Sequence, residues 1–384
     1  MPVIAQIKVN VGILDHLSKN KIEINVMRGA YELSSEGKYI RSLGQDTTFQ
    51  VRAYNHQILT EKKDQKFFTK SFFLRVNAKD SNSVFQIINI NGQPCDYKYK
   101  GDIMITAQKD EVKIINILGL DDYLVGVLRA EIGGLYDSEF LKSMAVISRT
   151  YTLRNLGKNI EKGYDLTDQV DCQVYMGMNF LEQRIVDAVK ATTNEVIVDS
   201  SGRMIDAVFH SNSGGITSRA SFAWSKDLEY LQETEDPYSI CGKHFKWSYR
   251  IPKNLWHQFL LKEYDSIPED PVMDPGISRR KYLYQGDTTV MMKDVRAYFK
   301  LKSALFTVNE VRDSIYFHGR GYGHGVGMSQ EGAYEMSLLG KQYEDIILHY
   351  YHDVRVACFN ELEAGKNKPL PLMNRMGVHN VLPQ

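Results

Sequence analysis

Short runs of alternating apolar and polar residues dominate the first 120 positions. KIEINVM, TTFQVRAYN, FFLRVNA, SVFQIINI, GDIMITA and EVKIINIL are β-branched or aromatic and are punctuated by Gly, Asn and Asp, which predicts strands. The last two form a hairpin turning near Lys109–Asp110. The texture changes at 121. From Asp137 the period is helical: Asp137 and Ser138 suit a cap, Glu139 the first turn, and Phe140, Met144, Ile147 and Tyr151 recur at helical spacing. A second stripe, Ala145, Ser148 and Thr152, is small, so this helix is expected to pack on both sides, with Arg149 beside the small stripe. Residues 179–193 predict another helix. EVIVDSSGRMIDAVFHSNSGG predicts a hairpin turning at Ser201–Gly202, whose second strand runs out at His210 into a polar loop. Residues 240–316 are less regular and richer in charge and proline, with SIPEDPVMDPG the clearest loop. They end in the strand DSIYFHG and read as a peripheral lobe. Two short helices, Ser329–Leu339 and Tyr343–Tyr351, are broken at Gly340.

These elements describe an α+β chain with mixed, mainly antiparallel sheets and a few short helices. Its 384 residues suffice for one large or two ordinary domains. The texture divides them into a strand-rich part, 1–115, a core, 116–360, that carries the lobe 240–316, and a C-terminal tail, 361–384. Lys+Arg and Asp+Glu both number 47, and a net charge of zero argues against a nucleic-acid binder working by bulk charge. The 23 tyrosines read first as amphipathic residues at the core edge and second as a sugar- or peptide-facing surface. Cys95, Cys172, Cys241 and Cys358 are scattered, without a CxxC or the look of a disulfide framework. No apolar run approaches the ~18 residues of a membrane span. The opening MPVIAQIKVNVGILDHL lacks the charged and apolar regions of an export signal.

Five stretches carry candidate chemistry. In DDYLVGVLRAEIGG, Glu131 follows an apolar segment and precedes Gly133 and Gly134. Partial desolvation there raises a carboxyl pKa toward what a general acid needs at neutral pH; the plainer reading is a surface Glu at a helix end. In AVISRTYTLR, Arg149 in mid-helix needs an anion, either a structural carboxylate or one on a substrate. DLTDQVDCQVYMG gathers Asp168, Asp171, Cys172, Gln173 and Tyr175, but lacks the Gly and terminal Glu of a calcium loop. Cys172 alone reads as a buried apolar residue before a nucleophile. FHSNSGGITSRASFAW supplies His210, Ser211, Ser213, Gly214, Gly215 and Thr217. With Cys172 these could be assembled into a hydrolase triad, although no G-x-S-x-G elbow is present. GRGYGHGVGMSQEGA packs six glycines around His324, with Arg320, Ser329 and Gln330. Either it is a tight irregular loop, or it is a site wall where backbone approaches a bulky polar ligand.

In order, YLVGVLRAEIGG, AVISRTYTL, CQVYMG, FHSNSGGITSRASFAW, YLQETEDP and GRGYGHGVGMSQEGAYEMSLLGKQYEDIILHYY resemble the SpoIID/LytB family of bacterial cell-wall proteins. The match covers roughly residues 85–355, and its last motif is nearly diagnostic by itself. The resemblance implies a SpoIID-like core and an extracytoplasmic protein. It also implies a lytic transglycosylase that cleaves the MurNAc–GlcNAc bond of peptidoglycan and leaves 1,6-anhydro-MurNAc ends. The catalytic residue would be Glu131. Substrate binding would fall to Arg149, Gln173, Tyr175, His210, Ser211, Ser213, Gly214, Gly215, Thr217, His324, Ser329 and Gln330, with Arg320 added from the glycine loop. His324 and its glycines would then line a glycan groove, with Ser329–Gln330 capping the helix behind. Another branch of the family implies a non-catalytic enhancer of a cell-wall amidase, which makes an amidase a second partner beside glycan strands. Two departures matter. A proline often found two residues after the glutamate is Gly133 here, so a looser loop is expected. Some relatives hold zinc through His and Cys just before CQVY; this chain has neither between Asn155 and Asp171, and Cys241 with His244 makes only two ligands. No metal and no cofactor are expected.

Overall fold

The computed structural model describes residues 7–35, 38–62, 65–71, 73–178, 182–224, 226–265, 277–285 and 288–364. The expected loop SIPEDPVMDPG and most of the tail 361–384 lie outside them. The architecture is α+β with predominantly antiparallel sheets. It comprises two compact units: residues 1–136 with 152–193, and residues 137–151 with 194–384.

The first unit holds a seven-stranded and a six-stranded sheet. In the larger one, Lys8–Ile13 and Asp102–Gln108 flank Glu111–Gly119 in antiparallel register, and the expected turn is made at Lys109, φ 56°. Alternation does what the sequence promised: Val9, Val11 and Ile13, like Ile22, Ile24 and Val26, are buried in turn. One short parallel pairing, Val11–Gly12 with Leu166–Thr167, brings the polar stretch around Asp168 beside the sheet. Glu111–Gly119 runs directly into the helix Leu120–Glu131, which buries Tyr123, Leu124, Val127 and Leu128. Gly126 lies in that helix where a Cβ would collide with the Tyr175 ring, so the glycine seats the segment carrying Gln173–Tyr175 against the helix.

In the second unit the helix Ser138–Arg154 contributes its residues through Tyr151. Both predicted stripes are covered: Phe140, Met144 and Ile147 are fully buried, as are Ala145, Ser148 and Thr152. The hairpin expected from 195 differs. Glu195–Asp199 turns through Gly202, but after the bridge Val198–Met204 the chain leaves, and the partner of Glu195–Asp199 is Val354–Cys358. Phe209–His210 instead pairs in parallel with Met328–Ser329, which sets the His210 motif directly against the end of the glycine loop. The lobe is more regular than its composition suggests. Lys246–Pro252, Ser314–Arg320 and Phe306–Val311 form a sheet, and helices Lys253–Tyr264 and Met292–Phe299 pack around Trp256, Phe259, Phe306 and Phe317. Gln330–Leu338 and Tyr343–Tyr350 are helical, separated at Gly340, φ 80°.

Candidate functional site

Glu131 is the last residue of its helix, and its carboxyl is half-buried. Burial raises its pKa above the ordinary carboxylate value, against the opposing pull of a hydrogen bond from the Val174 N–H to Oε1 at 3.0 Å. The negative end of the helix dipole works in the same direction as burial. Gly133 and Gly134 follow with φ of 58° and 96°, values closed to proline, and nothing crowds either residue. The loop here therefore takes a path that the proline of some relatives could not follow.

Gln173, next to Val174, is 3% exposed. Its Oε1 accepts from Thr152 Oγ1 at 2.9 Å, which turns Nε2 to a place where it has no partner among the described residues. Tyr175 is a core residue, its hydroxyl donating to Asn116 Oδ1 at 3.0 Å. Asp168 is buried and committed, Oδ2 accepting from the Leu14 N–H at 2.7 Å and Oδ1 from Gln169 Nε2 at 2.8 Å. Asp171 accepts from Thr167 Oγ1 at 2.6 Å. The Cys172 thiol has Asn159 and Asp171 as polar neighbours and no second Cys or His, so the residues present do not fit a zinc site. Among the described residues, no three His, Cys, Asp or Glu side chains gather to hold a metal.

In the second unit, the glycines of GRGYGHGVG receive protein atoms. A Cβ at Gly319 would strike Trp247. One at Gly321 would lie 2.6 Å from the Asn212 carbonyl, one at Gly323 2.8 Å from His210 Cβ, and one at Gly325 2.7 Å from both terminal nitrogens of Arg279; one at Gly327 would strike the Val208 carbonyl. Every second residue is thus a contact point, and the loop is clamped rather than loose. His210 is 4% exposed. Its Nδ1 donates to the Val326 carbonyl at 3.1 Å, which leaves Nε2 unprotonated and without a partner among the described residues. Burial, then His324, Arg279 and Arg296, hold its pKa well below the usual histidine range. The His324 ring stands 5.6 Å from His210 and 5.1 Å from Trp224, which is 41% exposed. His324 Nδ1 accepts from the Val326 N–H at 3.1 Å; burial, Arg296 and Arg279 depress its pKa to about 4.

The remaining motif residues mostly build this framework. Ser213 Oγ donates to the fully buried Asp236 at 2.6 Å and lies 2.8 Å from Ser239 Oγ, so a carboxylate rather than a histidine holds that hydroxyl. Tyr350 donates to the same Asp236 at 3.0 Å. Ser211 accepts the Glu331 N–H through its carbonyl. Gly214 N–H donates to Asn212 Oδ1 and Gly215 N–H to Ser239 Oγ. Thr217 Oγ1 donates to the Gln232 carbonyl. Ser329 caps the helix that Gln330 begins, accepting from the Gly332 N–H at 3.3 Å. The Arg320 guanidinium lies 5.5 Å over the Phe245 ring. Arg149 is 1% exposed and donates to the Glu195 carbonyl at 3.3 Å, buried within its packed helix. Sequence reasoning missed Asp236, Arg279 and Arg296. Asp236 stood within the quoted YLQETEDP, whereas nothing in the lobe's pattern marked the two arginines.

A family model described as Stage II sporulation protein matches residues 108–198, the span that carries Glu131, Arg149, Gln173 and Tyr175. Stage II sporulation protein D of Bacillus subtilis is 28% identical over 284 residues, 69% of this chain and 81% of that protein. A protein of Brachyspira hyodysenteriae is 29% identical over 274 residues, 69% of this chain and 74% of its own length. The amidase enhancer of Bacillus subtilis is 25% identical over 290 residues, 59% of this chain and 39% of that longer protein. In its ordered motifs and in these matches the chain is similar to the SpoIID/LytB family.

Proposed function

We propose that the protein is a peptidoglycan lytic transglycosylase with Glu131 as its one acid–base group. The observation that carries this is the half-buried Glu131 carboxyl, held at a helix C-terminus with its pKa raised. Protonated, Glu131 donates to the glycosidic oxygen between MurNAc and GlcNAc as that bond breaks. As a carboxylate it then takes the proton of the muramic 6-hydroxyl, whose oxygen attacks the anomeric carbon. No water is consumed, and the product is a 1,6-anhydro end. Hydrolysis would ask for a second carboxylate across the bond, and Asp168 and Asp171, the acids of the next motif, are engaged by Leu14, Gln169 and Thr167. The unpartnered Gln173 Nε2 suits a sugar hydroxyl or N-acetyl carbonyl, and the exposed Trp224 beside His324 suits the apolar face of a sugar. A cell-wall role of this kind places the protein outside the cytoplasm. No helix among the described residues is long and apolar enough to cross a membrane.

The test is digestion of purified glycan strands followed by mass spectrometry. Anhydro ends, lighter by one water than reducing ends, are expected, and Glu131→Gln should lower turnover on the order of 10²-fold or more while glycan binding persists. Reducing ends as the main product would mean hydrolysis. The similarity to an amidase enhancer supports a second reading, stimulation of a wall amidase without cleavage. Stimulation that survives Glu131→Gln, with no glycan products from the parent, would establish that reading instead.

A further inference from the structure

We propose that Arg279 and Arg296, supplied by the lobe, form with His210 a subsite for a sugar that carries a carboxylate. The proposal rests on the peptidoglycan reading and goes beyond it, since both arginines lie outside the motifs that carry the family resemblance. A contiguous set of contacts defines the place: Arg279 lies against Gly325, Gly325 adjoins His324, His324 packs on His210, and His210 packs on Gly323. Arg279 is held by donating from Nε to the Ile216 carbonyl at 3.0 Å and from Nη2 to the Ser213 carbonyl, which leaves N–H groups to spare. Arg296 Nε is buried without a hydrogen-bond partner among the described residues. Ion pairs of this unit, such as Arg203–Asp199, Arg219–Asp227 and Lys253–Glu310, fall elsewhere, and among the described residues neither arginine joins one. Exposed Glu233 acts on Arg279 only through its field, while Arg296 and Arg279 repel each other.

The chemistry left open is specific. Arg279 has N–H groups to spare and joins no ion pair among the described residues, and the field of Arg296 adds to its positive charge; a planar carboxylate matches a guanidinium's forked donors. His210 Nε2 needs the opposite, a donor, because its Nδ1 proton is spent on the Val326 carbonyl. Burial above all, then His324 and the arginines, keeps that ring neutral, and so keeps it an acceptor. A ligand with a hydroxyl and a carboxylate on one small frame answers both demands, and muramic acid is such a sugar.

Peptide-free glycan strands with muramic carboxylates intact, the same strands with those carboxyls reduced to alcohols, and strands still bearing stem peptides distinguish the sources of the anion. By titration calorimetry, intact strands should bind about tenfold more tightly than reduced ones, the worth of one charge-assisted pair. Arg296→Gln should abolish that preference. Arg279→Lys serves where Arg279→Gln fails to fold, because Arg279 also bonds two carbonyls. An arginine-dependent gain on peptide-bearing strands would assign the site to a peptide carboxylate, and on peptide-free strands to the muramic one. Equal binding of intact and reduced strands by the parent, or a preference that survives both substitutions, overturns the subsite. Failure to bind any strand would sink the peptidoglycan reading and the subsite with it.

Discussion

At the scale of residues, the protein holds titratable groups away from their ordinary pKa values, and the signs are opposite for Glu131 and His324. Glu131 has its pKa raised, so the native state keeps a proton that the unfolded chain releases. Stability then falls as pH rises from the unfolded carboxyl value through the raised native one, and the penalty is complete above it. Glu131→Gln removes the titration. It should therefore be more stable than the parent in urea at pH 7, and the advantage should vanish below about pH 4. The variant equal to or weaker than the parent at pH 7 would show that burial does not penalise this carboxylate. His324 behaves in reverse. With a native pKa near 4, it refuses a proton that the unfolded chain accepts near 6.5, so stability is lost as pH falls through that window. The loss is on the order of 3 kcal/mol for this group alone. His324→Gln should flatten the urea midpoint between pH 7 and 4.5, and an unchanged slope would remove His324 from the account.

At the scale of elements, glycine has two different uses, and they make different predictions. Gly133 and Gly340 have positive φ and open surroundings, so alanine at either meets only backbone strain, about 1 kcal/mol. Gly323 and Gly325 also have positive φ, but a methyl group there meets His210 or Arg279. Alanine at these positions should cost about 1 to 3 kcal/mol more, read as a lower urea midpoint than for Gly133→Ala. Equal costs at all four positions would mean that the loop yields freely and is not clamped. The lobe has its own test in Trp256, which is fully buried and packs on Phe259, Phe299 and Phe317. Its Nε1 has no hydrogen-bond partner among the described residues, so Trp256→Phe sheds an unsatisfied donor along with some volume. It should cost clearly less than Trp256→Ala, for which about 3 to 5 kcal/mol is expected. Matched thermal melts of the two variants measure the difference.

At the scale of the whole molecule, the sequence disclosed what depends on neighbours in the chain and hid what folding assembles. Glu111–Gly119 was readable because it alternates over a buried face. Gln93–Lys100 was not, because it is an edge strand with one buried residue, Tyr99, and shows no period. The hairpin from Glu195 was legible only at its turn, because the second strand gives out after Met204 and Glu195–Asp199 finds its long pairing with Val354–Cys358, more than 150 residues away. Of the candidate residues, Glu131 in the first unit and the glycine loop in the second stood out as linear motifs, whereas Arg279 reaches Gly325 only through the lobe's fold. Charge carries the last argument. With 47 basic and 47 acidic residues the molecule has no net field to draw in an anionic polymer. On the proposed reading, glycan recognition would rest on local contacts, such as Gln173 in the first unit and Trp224, Arg279 and Arg296 in the second, and half-buried charges are screened far less than exposed ones. Retention on purified cell-wall sacculi should therefore change less than about threefold between 0.05 and 0.5 M NaCl. A loss of tenfold or more over that range would show binding through exposed surface charge, and would move the interface away from the residues named here.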